Sequence, residues 1–260
     1  MIPYLDQPAL PLGIVTIHAF GVLVALAVIV GSTMARRHAR KNGVPDRVIG
    51  DLLTWTIVVG FVFGHVLDSI VYFPAETLAH PVRLFVLWDG LSSFGGFVGG
   101  VLGATAFLQR KQLGALRWRA LDAVAYGFPF GWIFGRLGCT LAFDHPGVAT
   151  TFFLGERDIH GVVRHNLGLD EALFAIALAA LFLALGRRRR HPGFFIGLLS
   201  VLYGPARAAL DTLRIDDARY FGATPAQYGA IVLVLVGSVL LVRAQRREVG
   251  ATSWPSQESA

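Results

Sequence analysis

Seven apolar stretches, each near the length a helix needs to cross a bilayer, dominate the chain: about 14–34, 49–76, 92–109, 120–143, 169–186, 193–214 and 225–242. At 1.5 Å per residue, roughly 20 helical residues span a hydrocarbon core ~30 Å thick. With 54% hydrophobic and 15% charged residues, the bilayer suits this chain better than water does. The 30 glycines agree, because membrane helices use glycine for close packing. The expected fold is therefore all-α: a polytopic bundle of about seven transmembrane helices forming a single membrane domain over 1–243. A polar tail over 244–260 is expected to be cytoplasmic and disordered. The opening segment lacks a basic region and a small-residue cleavage site, so the first helix is expected to be retained rather than removed as a signal peptide.

Orientation follows from the basic residues. The segments after the first, third, fifth and seventh stretches carry Arg36, Arg37, Arg40, Lys41 and Arg47, then Arg110, Lys111, Arg117 and Arg119, then Arg187 to Arg190, then Arg243, Arg246 and Arg247, which is 16 of the 23 Lys and Arg. By the positive-inside rule these segments face the cytoplasm, with the N-terminus on the outer side and the C-terminus inside. The net charge of +6 is thereby a topology signal near anionic headgroups, and no nucleic-acid partner is expected. The lone cysteine, Cys139, rules out an internal disulfide and a cysteine-built metal site. No cofactor or metal is expected.

Ionisable residues inside a membrane are costly, so each is a candidate for function. With this orientation His18, His65, Asp68, Arg136, Asp170, Glu171, Arg207, Asp211 and Arg214 all fall toward the outer side, while Asp51 and Asp122 sit near cytoplasmic ends. Arg207, Asp211 and Arg214 are spaced i, i+4 and i+7 and share one helical face. Together with Arg136 they predict an electropositive pocket open to the outer leaflet, where a phospholipid headgroup is the obvious anion. Two plainer readings stay open: Arg207 and Asp211 as a folding clasp, and Arg214 as an interfacial anchor. Gly95, Gly96, Gly99, Gly100 and Gly103 form small-xxx-small rows suited to helix packing, and backbone approach of a headgroup at Gly95 and Gly96 is the alternative. His145, His160 and His165 lie in the outer loop after the fourth stretch. There is no G-x-S-x-G elbow, no H-E-x-x-H and no P-loop.

Several fragments, in order, resemble the prolipoprotein diacylglyceryl transferases of bacterial inner membranes. IHAFGVLVALAVIVGSTMARRHARKNG is similar to that family's opening helix and basic loop. WDGLSSFGGFVGG resembles its WDGGMSFHGG-type segment, FGRLGC its G-R-x-G-N signature, RHNLGLDEALF its fifth-span stretch and LYGPARAALDTLR its Y-G-x-x-R-x-x-x-E-x-x-R helix. The resemblance implies transfer of a diacylglyceryl group from phosphatidylglycerol to the lipobox cysteine thiol of a prolipoprotein signal peptide, in the inner membrane, with glycerol phosphate released. The nucleophile then belongs to the substrate, which accounts for the missing serine or cysteine signature.

Carried over by position, the resemblance implies catalytic roles for Arg136, Arg207 and Asp211. Because Phe94 stands where the family has histidine, His65 or His18 is the candidate proton acceptor, or the thiol ionises unaided. Headgroup contacts are expected from Arg136, Arg207, Arg214, Gly95 and Gly96, and further pocket lining from His18, Phe94, Cys139 and Glu171. Cys139 replaces the family's asparagine, Phe20 a tyrosine, Asp170 a tyrosine and Asp211 a glutamate. These departures leave one alternative, a lipid-binding or lipoprotein-handling relative without the reaction. A transporter or channel has little support, since the charges do not run through the full depth of the membrane.

Overall fold

The computed structural model describes residues 1–4, 7–12, 15–86, 90–215 and 219–252. Among them are seven helices of 19 residues or more: α1 (Ala19–Lys41), α2 (Asp46–Leu67), α4 (Ser93–Lys111), α5 (Leu116–Ala142), α6 (Leu167–Leu185), α7 (Phe194–Thr212) and α8 (Pro225–Thr252). A short α3 (Pro74–Ala79) stands between α2 and α4. Five of the seven, namely α1, α2 with its extension, α6, α7 and α8, are long and apolar enough to cross a membrane. The chain is a multi-pass helical membrane protein. The other two, α4 and α5, have the length, but α4 gives five positions to glycine and α5 holds Arg117, Arg119, Asp122 and Arg136.

The first apolar stretch starts later as a helix than its hydropathy implies. Residues Val15–His18 form strand β2, paired antiparallel with β1 (Ala9–Leu12) in the register Ala9 to His18. The β-branched Val-Thr-Ile run favours an extended backbone over a helix start. His18 consequently sits exposed at the end of a strand rather than within a span. The second stretch is interrupted as well: α2 passes at Asp68 into a π-helical turn, Asp68–Tyr72. At the far end, helix α8 continues to Thr252, and the rest of the expected polar tail, 253–260, lies outside the described residues.

Two compact units make up the chain: one of Met1–His38 with Leu121–Ala260, the other of Ala39–Ala120. In the second unit α2 packs along α4 through glycine. A Cβ placed on Gly95, Gly99 or Gly103 would lie 2.7 Å from Phe63 O, 2.4 Å from Phe63 Cβ and 2.5 Å from Trp55 O respectively. An i, i+4 row without side chains is therefore what lets the two backbones touch.

In the first unit an aromatic core of Tyr126, Phe130, Phe182 and Phe195 is closed by Ala125, Leu178 and Ala179. His38 stacks on Tyr126 with ring centroids 4.0 Å apart. At the start of α5, the buried Asp122 accepts hydrogen bonds from Gly193 N (2.8 Å) and Ile196 N (3.0 Å). This carboxylate caps the first turn of α7, whose orphan N–H groups have no partners within their own helix. Asp122, one of the two acids off the outer-side pattern, thus has a structural task. At the other end, β3 (Pro146–Ala149), β5 (Val163–Asn166) and β4 (Glu156–Arg157) form a small antiparallel sheet in the order β3-β5-β4. Asn166 links it to the helices: its side chain donates to Thr140 O (3.1 Å) and Glu156 Oε2 (2.6 Å), and accepts from Leu169 N (3.1 Å) as the N-cap of α6.

Candidate active site

The first unit brings five charged side chains together near its small sheet, four from α5, α6 and the C-terminal part of α7 and one, Arg214, from just beyond α7. Glu171, in the second turn of α6, is their centre and is fully buried. Its Oε2 lies 3.0 Å from Arg136 Nε and 3.6 Å from Arg207 Nη1. Its Oε1 accepts from Tyr203 OH (2.6 Å) and Trp132 Nε1 (2.9 Å). The Arg136 contact runs off the N–H axis, so it is a charge contact more than an aligned hydrogen bond. The Arg136 guanidinium also lies 4.5 Å over the Trp132 ring, an attraction that grows when the cation is desolvated.

Asp211 is the second centre. Its Oδ1 is 3.0 Å from Arg207 Nη2 and 3.9 Å from Arg214 Nε, and its Oδ2 accepts the Thr224 hydroxyl. Thr224 stands before α8 in the sequence T-P-A-Q, where Gln227 N donates to Thr224 Oγ1 (3.2 Å) and Thr224 N to Gln227 Oε1 (3.0 Å). This is a capping box with proline at the first helical position, and the capping hydroxyl also serves Asp211. Arg214 follows the end of α7. There Val148 N donates to Leu213 O (2.8 Å), tying α7 to strand β3.

Among these five side chains three guanidiniums face two carboxylates, which leaves the set one net positive charge. The expectation of three arginines opening on the outer leaflet changes in detail. Arg136 is 3% exposed against Glu171, whereas Arg207 and Arg214 keep 14% and 17% of their side-chain surface. An unpaired guanidinium would be too costly at such depth, and Glu171 neutralises it. Arg207 and Arg214 are the less deeply buried of the three.

Other sequence candidates fall variously. Cys139 is half-buried on the last turns of α5, its sulfur 3.8 Å from Arg136 Nη1. Phe94, Gly95, Gly96 and His65 belong to the second unit. Phe94 is partly exposed in the first turn of α4, after the N-cap Ser92. The Cβ side of Gly95 is taken by α2, whereas Gly96 has only Gly60 O nearby, at 3.9 Å. His65 is fully buried, with Nδ1 3.2 Å from Gly90 O and Nε2 3.0 Å from Arg83 O. Both neighbours are acceptors, while a neutral imidazole has a single N–H. In its neutral form His65 therefore donates to one of the two carbonyls, with its other ring nitrogen facing the second. Gly90 itself has φ +88, and a Cβ there would lie 2.2 Å from Asp68 Oδ2. The Trp88 and Asp89 of the same motif lie outside the described residues.

In the loop after α5, burial pushes the His145 imidazole below its ordinary pKa, opposed by the neighbouring Asp144 carboxylate. His165 Nδ1 lies 3.2 Å from Asp170 Oδ2. Three residues of the network were not singled out from sequence: Trp132, Tyr203 and Thr224. Trp132 precedes Arg136 by four residues and Tyr203 precedes Arg207 by four, so helical spacing carried a signal for both. The capping box of Thr224 was legible, but its contact with Asp211 was not.

The chain matches the family model described as prolipoprotein diacylglyceryl transferase over residues 7–243. Among similar proteins, the phosphatidylglycerol–prolipoprotein diacylglyceryl transferase of Francisella tularensis subsp. holarctica is 30% identical, covering 92% of this chain and 93% of the relative. The protein of the same name from Halalkalibacterium halodurans is 28% identical over 93% of this chain and 86% of its own length. Its namesake in Staphylococcus saprophyticus is 24% identical over 98% of each.

Proposed function

This chain belongs to the prolipoprotein diacylglyceryl transferase family, and we propose that it moves a diacylglyceryl group from phosphatidylglycerol to the lipobox cysteine thiol of prolipoprotein signal peptides in a bacterial inner membrane. In this reading all seven long helices cross the bilayer, with the N-terminus outside and the cluster around Glu171 toward the outer leaflet. The positive-inside pattern supports that orientation.

The reaction is a displacement at a glyceryl carbon. The thiolate sulfur forms a bond to that carbon, the C–O bond to phosphate breaks, and glycerol phosphate leaves with the electron pair. The thiol proton goes to a base or to solvent. The barrier lies largely in the charge that gathers on the leaving phosphate, which fixed cations in a partly dry site stabilise better than water can.

The observation that carries the proposal is the doubly anchored Arg207, held by Glu171 at 3.6 Å and Asp211 at 3.0 Å while its side chain keeps 14% of its surface. Such a group needs little reorganisation to receive a phosphate oxygen. Arg214 adds a second cation, 3.9 Å from the same Asp211. Arg136, Tyr203 and Trp132 act through Glu171 as positioning residues.

The test is incubation of purified protein with phosphatidylglycerol and a lipobox peptide, reading the diacylglyceryl mass gain on the peptide. Arg207→Ala should abolish transfer and Arg214→Lys should weaken it, and full activity in Arg207→Ala would move the phosphate site elsewhere. Phe94 in place of the family's histidine favours one second reading, lipid binding without transfer. Bound phosphatidylglycerol with an unmodified peptide would establish that reading instead.

A further inference from the structure

Cys139, Asp144 and His145 offer a thiol sulfur, a carboxylate oxygen and an imidazole nitrogen that all lie within 4.8 Å of one another. Of the three, only Cys139 has a hydrogen bond to a member of the Glu171 network, its sulfur accepting from Arg136 Nη1 at 3.8 Å, while Asp144 and His145 lie within electrostatic reach of Arg136. The chain reaches this arrangement through a turn. Helix α5 ends at Ala142, Phe143 adopts φ +47, and Phe143 N donates to Thr140 O (3.3 Å). A left-handed conformation is unusual for a bulky residue. It folds Asp144 and His145 back over the helix end that carries Cys139.

We infer that these three side chains form a binding site for a borderline divalent cation of the zinc class. Sulfur, imidazole and carboxylate are the donors zinc takes, at about 2.0 to 2.3 Å, and three protein ligands with one open position is a common arrangement. Tetrahedral geometry at those bond lengths puts donor atoms roughly 3.3 to 3.7 Å apart. His145 Nε2 and Asp144 Oδ1 are already 3.9 Å apart, and the Cys139 sulfur lies within 4.8 Å of the ligand atoms of both. One cysteine is enough for such a mixed set, although it could not build a site of cysteines alone.

Charge balance favours the assignment in spite of the nearby Arg136. A dication with one thiolate, one carboxylate and a neutral imidazole sums to zero, so the loaded site adds no net charge beside the guanidinium. On binding, the thiol gives its proton to solvent, a release expected when a thiolate becomes a ligand. The last carbonyls of α5, the negative end of the helix, lie beside the site and favour a cation.

The test uses full-length protein in detergent, with any purification tag removed, stripped with chelator and titrated with cobalt(II) as the probe. The expected result is one cobalt per chain, a thiolate-to-cobalt charge-transfer band, and displacement of that band by zinc. Cys139→Ser should abolish the band, and His145→Ala should weaken cobalt binding tenfold or more. The metal-free thermal midpoint of His145→Ala should stay near that of the parent, which separates lost ligation from misfolding. The absence of a charge-transfer band, its survival in Cys139→Ser, or unchanged affinity in His145→Ala would each overturn the proposal.

Discussion

Replacing Glu171 with glutamine tests the network at its centre, because the shape is kept and the charge removed. All four partners of the carboxylate present donors: Arg136 and Arg207 on Oε2, Tyr203 and Trp132 on Oε1. A carboxylate accepts on both oxygens, but an amide has one acceptor and one NH2. Whichever way the introduced amide turns, its NH2 meets a pair of donors. The substitution also strips the buried Arg136 of its counter-charge. Breaking a buried ion pair from one side costs about 3–5 kcal/mol. At roughly 2–4 °C per kcal/mol for a chain of this size, the thermal midpoint should fall by ~6–20 °C. Tryptophan fluorescence in lipid-containing detergent is a suitable assay, since Trp132 itself lies against Arg136. Transfer activity should drop together with the midpoint. Combining Glu171→Gln with Arg136→Met should cost less than the sum of the two single changes, because the second removes the charge the first strands. A midpoint within ~2 °C of the parent together with full transfer would refute this account of Glu171.

Further expectations follow from other contacts. Tyr203→Phe removes one donor to a charged acceptor and should cost ~1.5–3 kcal/mol, less than Glu171→Gln in the same melt. Asp122→Ala should cost ~1–2 kcal/mol by uncapping α7, with faster amide exchange at Gly193 and Ile196 as the local readout. Gly99→Ala should destabilise by ~1–3 kcal/mol because its Cβ would lie 2.4 Å from Phe63 Cβ, whereas Gly21→Ala, with nothing within 4 Å, should be neutral in the same assay. Hydrogen bonds from Arg164, Val162 N and His160 N hold the Asp158 carboxyl below its ordinary pKa. Its contribution is therefore complete above the unfolded value of ~3.9 and is lost as pH falls through the lower folded value. Asp158→Asn should flatten the acid end of a stability-versus-pH curve, and an unchanged curve would show that this loop does not govern it.

What could be read in the chain itself depended on local spacing. Apolar runs long enough to span a bilayer announced the long helices, because length and hydropathy are properties of contiguous residues. The i, i+4 and i+7 placement of Arg207, Asp211 and Arg214 put them on one face for the same reason. The glycine row at 95, 99 and 103 likewise signalled close packing before its partner was known. Local spacing also misled in places: hydropathy alone could not tell that Val15–His18 pairs as a strand, since pairing depends on a partner elsewhere in the chain.

Only the tertiary structure decided how the charges were shared. Glu171, one of two adjacent acids opening a helix, becomes the common partner of Arg136 and Arg207 because α5, α6 and α7 converge there. Thr224 meets Asp211 from 13 residues along the chain, a contact that no periodicity encodes. The grouping of Arg136, Arg207, Asp211 and Arg214 was therefore legible, whereas His18 and His65 fall outside it. Its division into a buried pair around Arg136 and a less buried pair at Arg207 and Arg214 was not, because desolvation depends on every helix that packs around a charge and not on its neighbours in sequence.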